Sequence, residues 1–144
     1  MQAAGKTLRL ELAVLDVKAP GEFESTFAEI ARIRPAGVVI LVDTMFQNEA
    51  AQIMTLAASF QLPTMGGHNA IPEAGGLMSY GANRLDLVRH AVILVGKILK
   101  NAKPGDLPIE QPTKFDLVIN MKTAKTLGIK IPNSVMVQAT RVIT

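Results

Sequence analysis

The chain has 144 residues, 49% of them hydrophobic and 19% charged, with 15 Lys and Arg against 12 Asp and Glu; this leaves room for one domain, or for parts of two small lobes, and excludes a disordered or fibrous protein. The absence of Cys excludes a disulfide frame, a thiolate metal centre, a cysteine nucleophile and an iron–sulfur cluster. His68 and His90 alone are too few for a histidine-rich zinc site, and scattered basic residues with 4% aromatics offer no stripe to track phosphates, so no metal, cofactor or nucleic acid is expected.

Residues 8–17, LRLELAVLDV, alternate at first and then become nearly continuous in apolar residues, which predicts a strand buried on at least one face. Phe23, Phe27 and Ile30 then recur at helical spacing, with Glu22 and Glu24 in a first turn that favours negative charge, and Pro35 ends that helix. Residues 37–42, GVVILV, form a short β-branched run of the kind that helices cover on both sides, and Asp43 stands at its carboxyl end. A second helix is predicted over 47–60 and a third strand over 63–65. Strand, helix, strand, helix, strand with short connections argues for a parallel, doubly wound sheet.

Residues 66–76, GGHNAIPEAGG, hold four Gly and a Pro and read as a loop with at most one helical turn. A short strand over 77–80 precedes Asn83, which caps a helix reaching about residue 101, with Asp86 imitating a capping box. The inner face of that helix is expected to be Leu85, Val88, Ala91 or Val92, Val95 and Leu99. Residues 105–114, with Pro108 and Pro112, form an extended connector to a last strand over 115–119. Asn120 then caps a short helix stopped by Gly128, and Pro132 opens a final one at its first position.

In an open α/β sheet, ligands collect beyond the carboxyl ends of the strands. Asp43 therefore has two readings, a cap for the following helix or a ligand contact, and both roles are compatible through different oxygens. The loop at 66–76 follows a strand and should line the same edge, but it lacks G-x-G-x-x-G and a Walker lysine, so nucleotide binding is disfavoured. His68 is either a polar contact in that loop or solvated, and Glu73 either pairs with a cationic ligand group or sits in a surface turn. Tyr80, the single tyrosine, presents its ring or hydroxyl to a ligand or is buried with its hydroxyl satisfied. His90 reads as a helix-surface residue. No G-x-S-x-G elbow and no paired carboxylates at catalytic spacing occur, so an enzyme is not expected.

From residue 73 to 136 the text becomes specific. GGLMSYG, KILKNAKPGDLPIEQP and FDLVINMKTAKTLGIKIP closely resemble the ABC-transporter substrate-binding proteins of the group that includes tryptophan- and tyrosine-type binders, and the helix ending ARIRP with GVVILVD is similar to their second lobe. The resemblance implies an α/β, Rossmann-like fold of the type I periplasmic-binding-protein kind, with a solute held between two lobes and an ABC permease as partner. Under it, residues 1–76 form a carboxyl-terminal-lobe unit without its first strand, 77–107 cross to the amino-terminal lobe, and 108–144 return. It also implies a periplasmic or cell-surface location. Residues 1–6 do not follow the plan of a secretion signal, so the sequence taken as it stands is expected to be cytoplasmic.

Strand-end geometry within that frame assigns Asp43 to an amino group of the solute, backbone around Thr44 and Gly67 to a carboxylate, and Phe46 to an aromatic or aliphatic part, with His68, Asn69, Glu73 and Tyr80 as further ligand contacts. The solute is expected to be a small molecule such as an amino acid. Without a first lobe and a first strand, apolar strand edges would be left bare, which predicts a truncated member that is stable mainly as a homodimer. Two other readings stand beside this one: a receiver-like phosphoacceptor domain, prompted by VVILVDTMF, and a dimeric remnant without solute binding.

Overall fold

A computed structural model describes residues 2–144, with side chains described from residue 5 onward. The chain divides into two compact units, Met1–Arg34 and Pro35–Thr144. The first holds α1 (Gln2–Thr7), a 3-10 turn at Pro20–Glu22 and α2 (Phe23–Ile33). Phe23, Phe27 and Ile30, spaced for one helix face, are all buried. α2 stops where Arg34 turns left-handed at φ 52° and Pro35, with no N–H to give, follows.

The strand expected over 8–17 is absent. Leu8, Leu10, Leu12 and Val14 are 41–67% exposed in irregular backbone. Alternation makes a segment competent for a sheet, but a strand exists only with a ladder partner beside it, and this segment has none among the described residues.

The second unit is a five-stranded sheet whose spatial order follows the chain: β1 (Val38–Ile40), β2 (Thr64–Gly66), β3 (Met78–Ala82), β4 (Phe115–Asn120) and β5 (Arg141–Ile143). β1, β2 and β3 run parallel, β4 is antiparallel to β3, and β5 is parallel to β4. Helices α3 (Thr44–Asn48), α4 (Ala50–Ser59), α5 (Ala70–Glu73), α6 (Arg84–Leu99), α7 (Met121–Thr126) and α8 (Asn133–Met136) connect and flank the strands. The fold is therefore α/β and mostly parallel, with one reversal where the connector at 105–114 returns the chain beside β3.

Val118 and Ile119 of β4 are 1% and 0% exposed, and Leu77, Ala124 and Ile131 join Ile119 in one apolar cluster. On the other side of the reversal, α4 buries Ala50, Ile53, Met54 and Ala57, four residues of the face its sequence spacing predicts; the fifth, Phe60, is the C-cap and is 42% exposed. Its first turn differs from expectation: helix already begins at Thr44 and is interrupted at Glu49. Pro132 stands one position earlier than expected, as the extended N-cap of α8 rather than its first residue.

α6 departs furthest from its sequence reading. Asn83 caps it as expected, accepting from the Asp86 N–H at 2.8 Å. The face expected to be inward is exposed, however: Leu85, Val88, Val92, Val95 and Leu99 range from 53% to 79%. The buried residue of this helix is Asp86, 7% exposed, whose carboxylate accepts from Lys114 Nζ at 2.7 Å.

Candidate functional site

Because β1, β2 and β3 share a direction, the segments at 41–43, 67–69 and 83–84 all emerge at one sheet edge. The reversal brings the amino end of β4, with Lys114 and Asp116, to that edge as well. Here lies a cavity of about 280 Å³ lined by Gly67, His68, Asn69 and Glu73 from the β2–β3 connection, by Asn83 and Arg84 at the start of α6, and by Asp116. A neighbouring hollow of about 250 Å³ shares Asn69 and Asp116 and is completed by Thr140 and Arg141.

The loop at 66–76 is fixed from several sides. Gly66 lies against Ile71 and Gly67 against Val42, so tightly that a Cβ at either glycine would overlap the neighbouring side chain. Gly81 of β3 comes closest of all, since a Cβ there would strike the carbonyl oxygen of Gly67. Buried Ser79 donates to Asn69 Oδ1 at 3.1 Å, which orients the Asn69 amide, and Asn120 and Thr123 donate to the carbonyls of Pro72 and Gly75 at 2.9 and 2.7 Å. The lining is thus preorganised by a scaffold rather than left to a free loop.

The cavity carries both signs of charge. His68 and Arg84 meet with Nε2 and Nη1 2.9 Å apart, and His68 Nδ1 accepts from the Ala70 N–H at 3.1 Å. Burial, and then the guanidinium of Arg84, hold the imidazole pKa below its usual value against a weaker upward pull from Glu73. Glu73 pairs with Arg141. Asp116 receives both of its hydrogen bonds from Asn83 Nδ2, at 3.1 and 3.0 Å.

Of the residues singled out in the sequence, Gly67, His68, Asn69 and Glu73 come together in this cavity. Asp43 caps α3, with Oδ1 accepting from the Met45 N–H at 2.7 Å; Thr44 begins α3 and Phe46 is half-buried within it, and none of the three lines the cavity. Tyr80 is 51% exposed and stacks on Phe115, with ring centroids 5.4 Å apart. Asn83, Arg84 and Asp116 are cavity residues that the sequence reading missed. The strand-end rule that selected Asp43 selects Asn83 and Arg84 equally, once β3 is carried to Ala82; Asp116 lies at a strand's amino end and needed the antiparallel reversal to be seen. Among the described residues no group of three His, Asp or Glu stands close enough to hold a metal ion; the receiver-like reading needs further carboxylates beside Asp43.

Comparison with known proteins agrees with this architecture. The chain superposes on an ABC domain from Streptococcus pneumoniae solved in complex with L-Trp, at 28% identity and TM-score 0.90, over 98% of this chain and 48% of that one. It superposes on a conserved domain protein from Vibrio cholerae at 23% identity and TM-score 0.89, over 98% and 47% of the two chains. The ligand-free, open form of CD0873, a substrate-binding protein with adhesive properties from Clostridium difficile, gives 16% identity and TM-score 0.71, over 99% and 48%. The chain spans about half the length of these solved proteins. No curated protein matches it in sequence. The family model for ABC transporter substrate binding proteins matches residues 1–143, and the chain belongs to that family.

Proposed function

We propose that this chain forms one side of the solute cleft of an ABC-type importer's binding component, and that the solute is a small zwitterion such as an amino acid. The observation that carries the reading is a preorganised cavity at the carboxyl edge of the parallel strands, with Arg84 and His68 beside Asp116 and Glu73. A zwitterion needs both signs of charge within a few ångströms, in a recess dry enough for a few charge-assisted hydrogen bonds of about 1.5–3 kcal/mol each to set specificity. Family membership over nearly the whole chain and a related structure bound to L-Trp support the solute class.

In this reading Gly67, His68, Asn69 and Glu73 contact the solute in the cavity, and Asp43, Thr44, Phe46 and Tyr80, which stand outside its lining, meet a part of the solute that extends beyond it. The role is capture and release, without catalysis, cofactor or metal. Residues 1–76 and 108–144 belong to one lobe, which β3 joins by pairing between β2 and β4, and the rest of 77–107 crosses toward a second, which closes the cleft. The exposed apolar seam of α6 is the surface that lobe covers, or in its place a second copy of the chain in a homodimer. The protein acts at the outer face of the membrane, in the periplasm or at the cell surface, and delivers to an ABC permease.

Isothermal titration of the full chain with the twenty amino acids is the direct test. Saturable binding of at least one, weakened by Asp43→Ala or Glu73→Gln, supports the reading. A chain that keeps its fold and binds none of them overturns it.

A further inference from the structure

Neutral imidazole has one protonated nitrogen and one that accepts, whereas guanidinium nitrogens only donate. Around His68 both ring nitrogens face donors: Nδ1 the Ala70 N–H at 3.1 Å, and Nε2 the Arg84 guanidinium at 2.9 Å. With Nδ1 accepting, Nε2 carries the ring proton, and an N–H of His68 then points at an N–H of Arg84. The other tautomer moves the same conflict to Ala70. Protonation of the ring only adds a second donor. In each neutral tautomer one of these two contacts lacks an acceptor, and in the protonated ring both do.

The surroundings do not supply that acceptor. Glu73 is bound to Arg141, Asp86 to Lys114, and Asp116 to Asn83, while Arg84 forms no ion pair among the described residues. Both donors border the cavity of about 280 Å³, which has room for a small molecule's head group.

We propose that His68 and Arg84 are the anion subsite of the cavity, and that the carboxylate of the solute supplies the missing acceptor, one oxygen to Nε2–H of His68 and the other to the Arg84 guanidinium. This deepens the solute-binding reading and rests on it for the identity of the whole ligand, but the subsite has its own signature. Arg84 from α6 and Glu73 from α5 act on His68, Asp116 from β4 shares the cavity with it, and Arg141 from β5 pairs with Glu73. Burial, and then Arg84, disfavour the imidazolium. A carboxylate bound between His68 and Arg84 favours it, so binding takes up a proton and strengthens as pH falls from the raised pKa of the complex toward the lowered pKa of the free site.

The test follows the ¹⁵N resonances of the His68 ring in the full chain during titration with acetate, 3-phenylpropionate and inorganic phosphate. A saturable response to the two carboxylates, with a raised His68 pKa at saturation, is expected in the wild type and absent in Arg84→Gln. Arg84→Lys retains part of it, because one ammonium replaces charge but not the planar fork. No saturable response to carboxylates, a response to phosphate alone, or an unchanged response in Arg84→Gln overturns the subsite. Calorimetry with L-tryptophan and L-tryptophanamide separates this from the wider reading. If L-tryptophan binds, Arg84→Gln should weaken it by about tenfold or more while leaving the amide within about twofold; equal losses, or none, overturn the subsite and leave solute binding standing. Carboxylates that engage His68 while no amino acid binds support the subsite and remove the amino-acid reading.

Discussion

Asn120 and Pro72 lie 48 residues apart in sequence and are joined by one hydrogen bond, from Asn120 Nδ2 to the Pro72 carbonyl oxygen at 2.9 Å. The same side chain caps α7 through Oδ1, which accepts from the Thr123 N–H at 3.1 Å. Both residues are buried. One amide therefore ends β4, starts α7 and anchors the loop that carries His68 and Glu73. Asn120→Ala loses the cap, about 1 kcal/mol, and one hydrogen bond to a buried carbonyl that keeps the Gly75 N–H at 3.3 Å, about 0.5–1.5 kcal/mol more. Urea denaturation should show a loss of about 1.5–2.5 kcal/mol, and Asn120→Asp, which keeps the cap but not the donor, a smaller one. An Ala variant as stable as wild type would remove this anchoring role.

Asn120 also marks how far the sequence could be read. Its cap of α7, the cap of α6 by Asn83 and the buried stripe of α4 follow from local spacing, and all three occur. The bond to Pro72 is non-local, and nothing in the spacing of residues 66–76 announces it. The misreadings have the same origin. Residues 8–17 carry strand alternation, but a ladder needs a neighbour that periodicity cannot supply. Val88, Val92 and Leu99 carry core-like spacing without a packed surface against them in the described fold. In the site, Gly67, His68 and Asn69 were legible because a glycine-rich loop after a strand goes to a predictable edge. Asp116 was not, since its place there depends on β4 running against β3.

The acid limb of stability should carry the signature of Asp86. Its carboxyl pKa is held below the usual 3.8 chiefly by the hydrogen bond from Lys114, with burial opposing. The unfolded carboxyl titrates near the ordinary value, so the stabilisation is complete above it and is lost as pH falls through the lowered folded value. In Lys114→Met the strongest lowering influence is gone and burial remains. The folded pKa should then rise, and acid unfolding should begin at higher pH. Carboxyl ¹³C titration together with melting temperatures from pH 7 to about 2 checks both; an unmoved Asp86 titration would show that Lys114 is not its partner in solution.

Two glycines should respond oppositely to the same substitution. At Gly81 a Cβ meets the backbone of Gly67, which cannot swing aside as a side chain can, so Gly81→Ala should cost about 1–3 kcal/mol and displace the loop that bears His68. At Gly96, inside α6, a Cβ meets nothing within 4 Å. Gly96→Ala should stabilise by about 0.5–1 kcal/mol through reduced backbone freedom in the unfolded chain. Thermal unfolding of the pair decides it, with a tolerated Gly81→Ala counting against the close approach of β3 and the loop.

Leu85, Val88, Val92, Val95 and Leu99 follow one another at intervals of three, four, three and four, the repeat by which one helix packs against another. All five are more than half exposed. Exposed apolar residues at that repeat mark a surface for another helix to pack on, and the homodimer reading assigns it to a second copy of the chain. Sedimentation equilibrium of the full chain should then show a dimer, and Val92→Lys with Val95→Lys should return it to monomer. Both lysines point from positions already in water, so the helical circular dichroism should be retained. A wild-type chain that remains monomeric across its soluble concentration range, or a dimer indifferent to the two lysines, would rule out α6 as the contact between copies.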